Sequence, residues 1–310
     1  MATSQEKSVR HPSDQSTILI LPAGPRRPVS TRVEFGGVTH PGKVRPNNED
    51  QYLIARLCKS VQVLDTSLPP EDDPDLADLE AFLMLVADGM GGAAAGEHAS
   101  ALVVREVKKY ALLAAKWFFG LDDPNDDVRM RLLRQGLDHI DKKLISQAEG
   151  DAALTGMGST LTAACSYGSE LLLVHVGDSR AYLFRHDELE QLTTDHTLAQ
   201  RMVDAGLLGP ESLRTSRVRH ILINALGANP GVVPETEKLR LADGDRLMIC
   251  SDGLTEMLSD KQIAEVLRSY HKPAAACQAL VDAALDKGGK DNVTVVLAAY
   301  SIEKEDQDRG

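Results

Sequence analysis

Residues 81–87 form an unbroken apolar run, Ala-Phe-Leu-Met-Leu-Val-Ala, followed by Asp88-Gly89-Met90-Gly91-Gly92. A short continuous apolar run bounded by turn residues predicts a fully buried strand. Asp88 is expected where that strand leaves the core, with Gly89, Gly91 and Gly92 turning the backbone sharply. Similar patterning predicts strands over 33–39, 51–57, 61–64, 159–167, 171–176, 181–185, 246–250 and 293–300. Two long segments show helical spacing instead. In 96–118 the apolar positions are Ala99, Leu102, Val103, Val107, Leu112 and Leu113; in 128–148 they are Leu132, Leu133, Leu137, Ile140, Leu144 and Ile145. Such helices pair antiparallel, with a turn at 122–125. Shorter helices are predicted over 197–205, 263–267 and 274–285, with an irregular polar stretch at 206–218. Strands and helix pairs come in blocks rather than as βαβ units, which predicts an α+β layered domain on antiparallel sheet.

Composition narrows the function. A chain of 310 residues with 43% hydrophobic residues can bury a large core as one large domain or two small ones. Its net charge of −12 argues against a nucleic-acid-binding body. Residues 1–32 carry five basic and two acidic residues, a net of +3, and read as a disordered leader. Residues 33–300 are expected to form the folded domain, and 301–310 a charged tail. Residues 65–80 hold seven acids and no Lys or Arg, as in a solvated loop or an acidic substrate-selecting lip. The longest apolar run near the start, 18–21, is too short for a signal peptide or membrane span. Cys58, Cys165, Cys250 and Cys277 are far apart, without metal-type pairing. Reduced thiols in a cytoplasmic protein, with no membrane partner, follow.

Asp-Gly follows a buried strand twice, at Asp88-Gly89 and Asp252-Gly253, and Asp291 opens a third. By itself, Asp-Gly is also a common hairpin turn. In antiparallel sheet the end of one strand lies beside the start of its neighbour, so these three carboxylates can converge on one edge. Oxygen-only ligands suit Mg²⁺ or Mn²⁺ rather than zinc. Arg45, four residues before Glu49, carries the fork suited to phosphate oxygens.

The ordered motifs are Gly42-Lys43-Val44-Arg45-Pro46-Asn47-Asn48-Glu49-Asp50, Val86-Ala87-Asp88-Gly89-Met90-Gly91-Gly92, Gly156-Met157-Gly158-Ser159-Thr160, Val176-Gly177-Asp178-Ser179-Arg180-Ala181-Tyr182-Leu183, Thr194-Asp195-His196, Ser251-Asp252-Gly253-Leu254 and Asp291-Asn292-Val293-Thr294. In them the chain resembles the metal-dependent PPM/PP2C protein serine/threonine phosphatases, in their bacterial form. The resemblance implies a four-layer α-β-β-α sandwich of two antiparallel sheets flanked by helix pairs. It implies two Mn²⁺ or Mg²⁺ ions at one edge, and hydrolysis of phosphoserine or phosphothreonine by direct attack of a bridging water or hydroxide. Asp88 is similar to the bridging carboxylate, and Gly89 to a carbonyl ligand. Asp252 and Asp291 resemble ligands of the other ion, Glu49 the acid that holds a metal-bound water, and Arg45 the phosphate-binding arginine. Asp50 is similar to a supporting residue around the ligands.

Two departures stand out. Met90 occupies the place where many eukaryotic members carry His. Ala153 and Glu256 fall where bacterial relatives place acids for a third ion, with Asp151 out of register, so a third ion is left open. Asp178 and Arg180 are read as pinning a turn, and His196 and Asp195 as structural or at the cleft rim. His98 and His175 read as packed histidines. Arg214, Arg217, Arg219 and His220 form a basic patch in a flap-like stretch. Expected partners are phosphorylated proteins and a Ser/Thr kinase. The alternative reading is a non-catalytic phosphoprotein-binding or regulatory module; a phosphatase of small metabolites is the third.

Overall fold

A computed structural model describes residues 31–59, 79–118, 126–228 and 231–303. The strands are β1 Thr31–His40, β2 Asp50–Lys59, β3 Leu79–Met90, β4 Gly158–Ser159, β5 Leu161–Tyr167, β6 Glu170–Val176, β7 Arg180–Arg185, β8 Glu188–Gln191, β9 Glu235–Arg240, β10 Arg246–Cys250 and β11 Val293–Ile302. The helices are α1 Ala93–Phe118, α2 Asp126–Gly150, α3 Leu198–Asp204, α4 Asp252–Thr255, α5 Asp260–Ser269 and α6 Pro273–Asp286. One sheet has the order β1-β11-β10-β7-β8, the other β2-β3-β5-β6-β9, with β4 hydrogen-bonded to the end of β3. Every strand pairing is antiparallel.

Three apolar layers hold four layers of structure together. Met84, Val86, Leu173, Leu247, Ile249 and Val296 fill the space between the sheets. Leu85, Ala87 and Leu161 on the opposite face of their sheet pack on Ala99, Val103, Ile140 and Leu144 of α1 and α2. Met248, Cys250, Val295 and Leu297 of the first sheet pack on Ile263, Leu267, Leu280 and Val281 of α5 and α6. Alternate residues of β3 thus enter different cores, and both of its faces are covered. That explains the unbroken apolar run and confirms the α-β-β-α sandwich.

Several expectations need correction. β3 does not end at Ala87: it runs on through Asp88, and Gly89 pairs with Ser159. The turn comes at Gly91 and Gly92, with φ of 116° and 89°. Gly89 answers to close approach instead, since a Cβ there would stand 2.0 Å from the Gly96 carbonyl oxygen. β8 and β9 went unforeseen. Both are polar edge strands, whose ladders form without an apolar run. Leu112 is 66% exposed rather than on the packed stripe of α1. The expected strand at 61–64, the turn at 122–125 and most of the acidic stretch lie outside the described residues. The latter's flanks, Lys59 and Leu79, pair at the end of the β2–β3 ladder opposite Asp50 and Asp88, about 30 Å away.

α4 begins immediately after β10, and only glycine fits its first turn. A Cβ on Gly253 would lie 1.9 Å from the Asn292 carbonyl oxygen. Gly253→Ala is expected to destabilise the fold by about 3 kcal/mol, read as a lowered urea midpoint at unchanged slope.

Candidate metal and phosphate site

The site lies where the two sheets present strand ends side by side. Asp50 opens β2 directly opposite Asp88 near the end of β3. In the other sheet the end of β10 lies beside the start of β11, Cys250 against Val295. This brings Asp252, just after β10, next to Asp291, just before β11. Convergence on one edge was therefore the right expectation for Asp252 and Asp291 alone. Asp88 comes from the opposite sheet, so the carboxylates meet across the sandwich.

Hydrogen bonds fix this meeting. Ser251 Oγ and Thr294 Oγ1 both donate to Asp50 Oδ2 at 2.7 Å, joining the sheets. Asp88 is held through its backbone: its N–H donates to Thr160 Oγ1 at 2.9 Å, and its carbonyl accepts from Thr160 N at 2.8 Å. Asn292 is a clamp. Its Oδ1 accepts from Glu49 N at 2.7 Å, and its Nδ2 donates to the carbonyls of Pro41 and Asn47 at 2.9 and 2.8 Å. The loop 41–49, with Arg45 and Glu49, is thereby tied to the start of β11. Glu49's carboxylate rests against Gly96 of α1, where a Cβ would lie 2.1 Å from Oε2. Arg45 Nη2 donates to Asp291 Oδ2 at 2.6 Å.

The electrostatics are those of an anionic cluster in which Arg45 is paired with Asp291. Burial raises the Asp88 carboxyl well above its ordinary range, and repulsion from Asp50, Asp252, Asp178 and Asp291 adds to it. Asp252 is raised likewise by burial and by Asp178, Glu256, Asp291 and Asp50. Burial pushes Asp50 up to about 6 against the pull of its two hydroxyl donors. Its other oxygen, Oδ1, is buried without a hydrogen-bond partner. An orphaned carboxylate oxygen among mutually repelling carboxylates is a donor set that fits hard divalent cations.

Asp178 accepts a hydrogen bond from its own backbone, in keeping with the reading of it as a turn residue. Burial and the nearby Asp195 push its carboxyl up to about 7, and its charge adds to the repulsion felt by Asp88 and Asp252. Arg180's fork goes to Asp195 instead, at 2.8 Å from Nε to Oδ1 and 2.7 Å from Nη2 to Oδ2. Sequence reasoning also missed the clamping role of Asn292; the signal available was an amide immediately after a candidate ligand. Asp151 caps the turn Ala152–Leu154 by accepting from Ala153 N, which commits one of its oxygens locally. On the flap side, His220 Nδ1 lies 2.8 Å and Arg219 3.8 Å from Glu256 Oε1. Arg214 Nη2 donates to the carbonyls of Thr255 and Leu258, so this stretch leans on α4 beside Asp252.

The chain matches the protein phosphatase 2C family over residues 64–287. It is 39% identical over 237 residues to the serine/threonine protein phosphatase PstP of Mycobacterium tuberculosis, covering 76% of this chain and 43% of that one. The chain belongs to the protein phosphatase 2C family. It spans less than half the length of the mycobacterial relative. The serine/threonine phosphatase stp of Listeria innocua is 32% identical over 226 residues, 73% of this chain and 87% of the relative. The solved catalytic domain of PstP in complex with two manganese ions superposes with a TM-score of 0.66 at 34% identity, covering 88% of this chain and all of that one. Within the family's sandwich, the carboxylate cluster described above lies at one end of both sheets.

A second polar cluster brings together His175, His196 and Glu235. The His175 and His196 rings stand 4.8 Å apart. His196 Nδ1 receives the Gly177 N–H at 3.1 Å and Asn224 Nδ2 at 3.0 Å, so it serves as an acceptor. His175 is filled on both sides by Thr162 Oγ1 and the Thr194 carbonyl. Burial, helped by the neighbouring His196, pulls His175 down to about 3. The unfolded chain takes up that proton near 6.5, the folded chain only near 3, so stability falls as pH drops below about 6.5. Asp50 and Asp178, with raised values, act in the opposite direction. The readout is therefore the stability difference between wild type and His175→Gln. It is expected to shrink by about 2 kcal/mol between pH 7 and pH 5 in urea unfolding; no change would show that His175 protonates freely.

Proposed function

We propose that this chain is a metal-dependent protein phosphatase that removes phosphate from phosphoserine and phosphothreonine. The observation that supports this most is the orphaned Asp50 oxygen within the cluster of Asp88, Asp252 and Asp291. All the candidate ligand types are present, which disfavours a non-catalytic binding module. Asp88 and the Gly89 carbonyl would hold one cation, and Asp88, Asp252 and Asp291 its neighbour. Asp50 and Glu49 support that set. When bound, two Mn²⁺ or Mg²⁺ ions supply Lewis acidity and a nucleophile at neutral pH.

The protein's own groups do the rest. Arg45, on the clamped loop 41–49, offers a second guanidinium edge to a phosphate while its Nη2 contacts Asp291. Asn292 keeps Arg45 and Glu49 in register with Asp291. Ser251 and Thr294 hold Asp50 against the end of β3, so the carboxylates do not rearrange when a substrate arrives.

Phosphorylated proteins are the substrates on this reading, with a Ser/Thr kinase as functional counterpart, in the cytoplasm. Among the described residues, no helix is long and apolar enough to cross a membrane. Residues 33–300 constitute the catalytic unit, with 1–32 and 301–310 as appended segments. The test is turnover of p-nitrophenyl phosphate and of a phosphothreonine peptide, with Mn²⁺ and with chelator. Turnover is expected only with metal, and a loss of at least about a hundredfold in Asp252→Asn and Asp291→Asn. Metal-independent turnover, or none at all, sinks the proposal.

A further inference from the structure

The carboxylate floor is flanked by basic residues on two sides, in a chain whose net charge is −12. The first lip is the loop 41–49 together with the segment 287–292. They are interlocked: Lys43 N donates to the Gly289 carbonyl at 2.7 Å, and Asn292 bonds Pro41 and Asn47. A Cβ on Gly42 would lie 2.3 Å from the Asp291 carbonyl oxygen, so the two segments touch backbone to backbone. This lip exposes Lys43, Val44, Arg45 and Lys290, while Lys287 Nζ donates to Gln262 Oε1 of α5 at 2.6 Å. Val44 is 67% exposed, an apolar residue displayed on a rigid turn. Among the described residues, Lys43 and Lys290 have no ion-pair partner.

The second lip is the stretch after the turn Pro210–Thr215, with Arg217, Arg219 and His220 exposed. Arg219 and His220 reach Glu256, one helical turn beyond Asp252. On the first lip, Arg45 is bonded to Asp291, which the β10–β11 pairing places beside Asp252. The two lips therefore flank the neighbouring carboxylates Asp252 and Asp291, and a peptide presenting its phosphate there lies between them.

We propose that the two lips select phosphoproteins whose target residue is flanked by acidic residues. This rests on the phosphatase reading and names its substrate class. Opposite charges on substrate and lips attract, while the chain's overall negative charge otherwise repels an acidic peptide. Basic side chains at the rim reverse that repulsion locally. Basic-flanked peptides meet Lys43, Lys290 and Arg217 as like charges.

The test uses two phosphothreonine peptides of equal length, one with Glu and Asp flanks, one with Lys and Arg flanks. At low salt and saturating Mn²⁺ the acidic peptide is expected to show about tenfold higher kcat/KM, carried by KM and diminished at 0.5 M salt. Lys43→Ala combined with Lys290→Ala is expected to cut the preference to about threefold or less, leaving p-nitrophenyl phosphate turnover within twofold. Binding of non-hydrolysable phosphonate analogues of both peptides, read by fluorescence anisotropy, reports the same preference without chemistry. Equal affinity for the two peptides, preference for the basic one, or an unchanged preference in the double variant overturns the proposal. Loss of all turnover with the binding preference intact overturns the phosphatase reading instead.

Discussion

Asp88→Asn is expected to lose at least about a thousandfold in Mn²⁺-dependent turnover while making the metal-free protein more stable. The two effects share one cause. Asp88 is partly buried opposite Asp50 and close to Asp252, Asp178 and Asp291. In the folded protein without a cation, its charge adds repulsion that the unfolded chain does not feel. Asparagine keeps the shape and the backbone bonds to Thr160 but removes one charge. A gain of about 2 kcal/mol in metal-free urea unfolding follows. With Mn²⁺ the order reverses, because the wild type gains binding free energy that the variant cannot. The checking measurement is the urea midpoint of both proteins, with chelator and with Mn²⁺. If Asp88→Asn is less stable under chelator, the carboxylates are not mutually repelling.

Asn292→Ala is expected to cost about 3 kcal/mol of stability and about a hundredfold in kcat/KM, though Asn292 touches no phosphate. Its buried amide makes three hydrogen bonds to the loop 41–49. Removing it strands the Glu49 N–H and two carbonyls, each worth about 1 kcal/mol. The kinetic loss arises because Arg45 and Glu49 lose their fixed placement relative to Asp291. Asn292→Asp offers a discriminating comparison. It restores the acceptor for Glu49 N but not the donor to Pro41 and Asn47, so its stability should fall between wild type and alanine. Equal activity of Asn292→Ala and wild type would show that the loop is held by other contacts.

Much of this site was legible before any coordinates. Arg45, Glu49, Asp88, Asp252 and Asp291 were all named from motif order, and the structure brings them to one end of the sandwich. Asp50 was underweighted because its importance lies in what surrounds it. Asp50 reads as one more acid after Glu49 until Ser251 and Thr294 are seen donating to the same oxygen. The polar strands β8 and β9 escaped for a related reason. Edge strands are held by backbone bonds to one neighbour, so an apolar run is not required of them.

The amino-acid sequence by itself determined the layered α+β class, the two long helices, the carboxylates at the strand ends and the sign of the overall charge. These follow from local periodicity and residue chemistry, which need no partner to be read. The tertiary structure decided that β3 carries its strand geometry through Asp88 to Met90, so Asp88 meets Asp252 and Asp291 from the opposite sheet. It also decided that one amide, Asn292, ties the phosphate-facing loop to that edge. Both depend on contacts between residues some two hundred positions apart, such as Asp50 with Ser251 and Thr294. No local pattern encodes a contact of that separation; only packing two sheets on a shared core creates it.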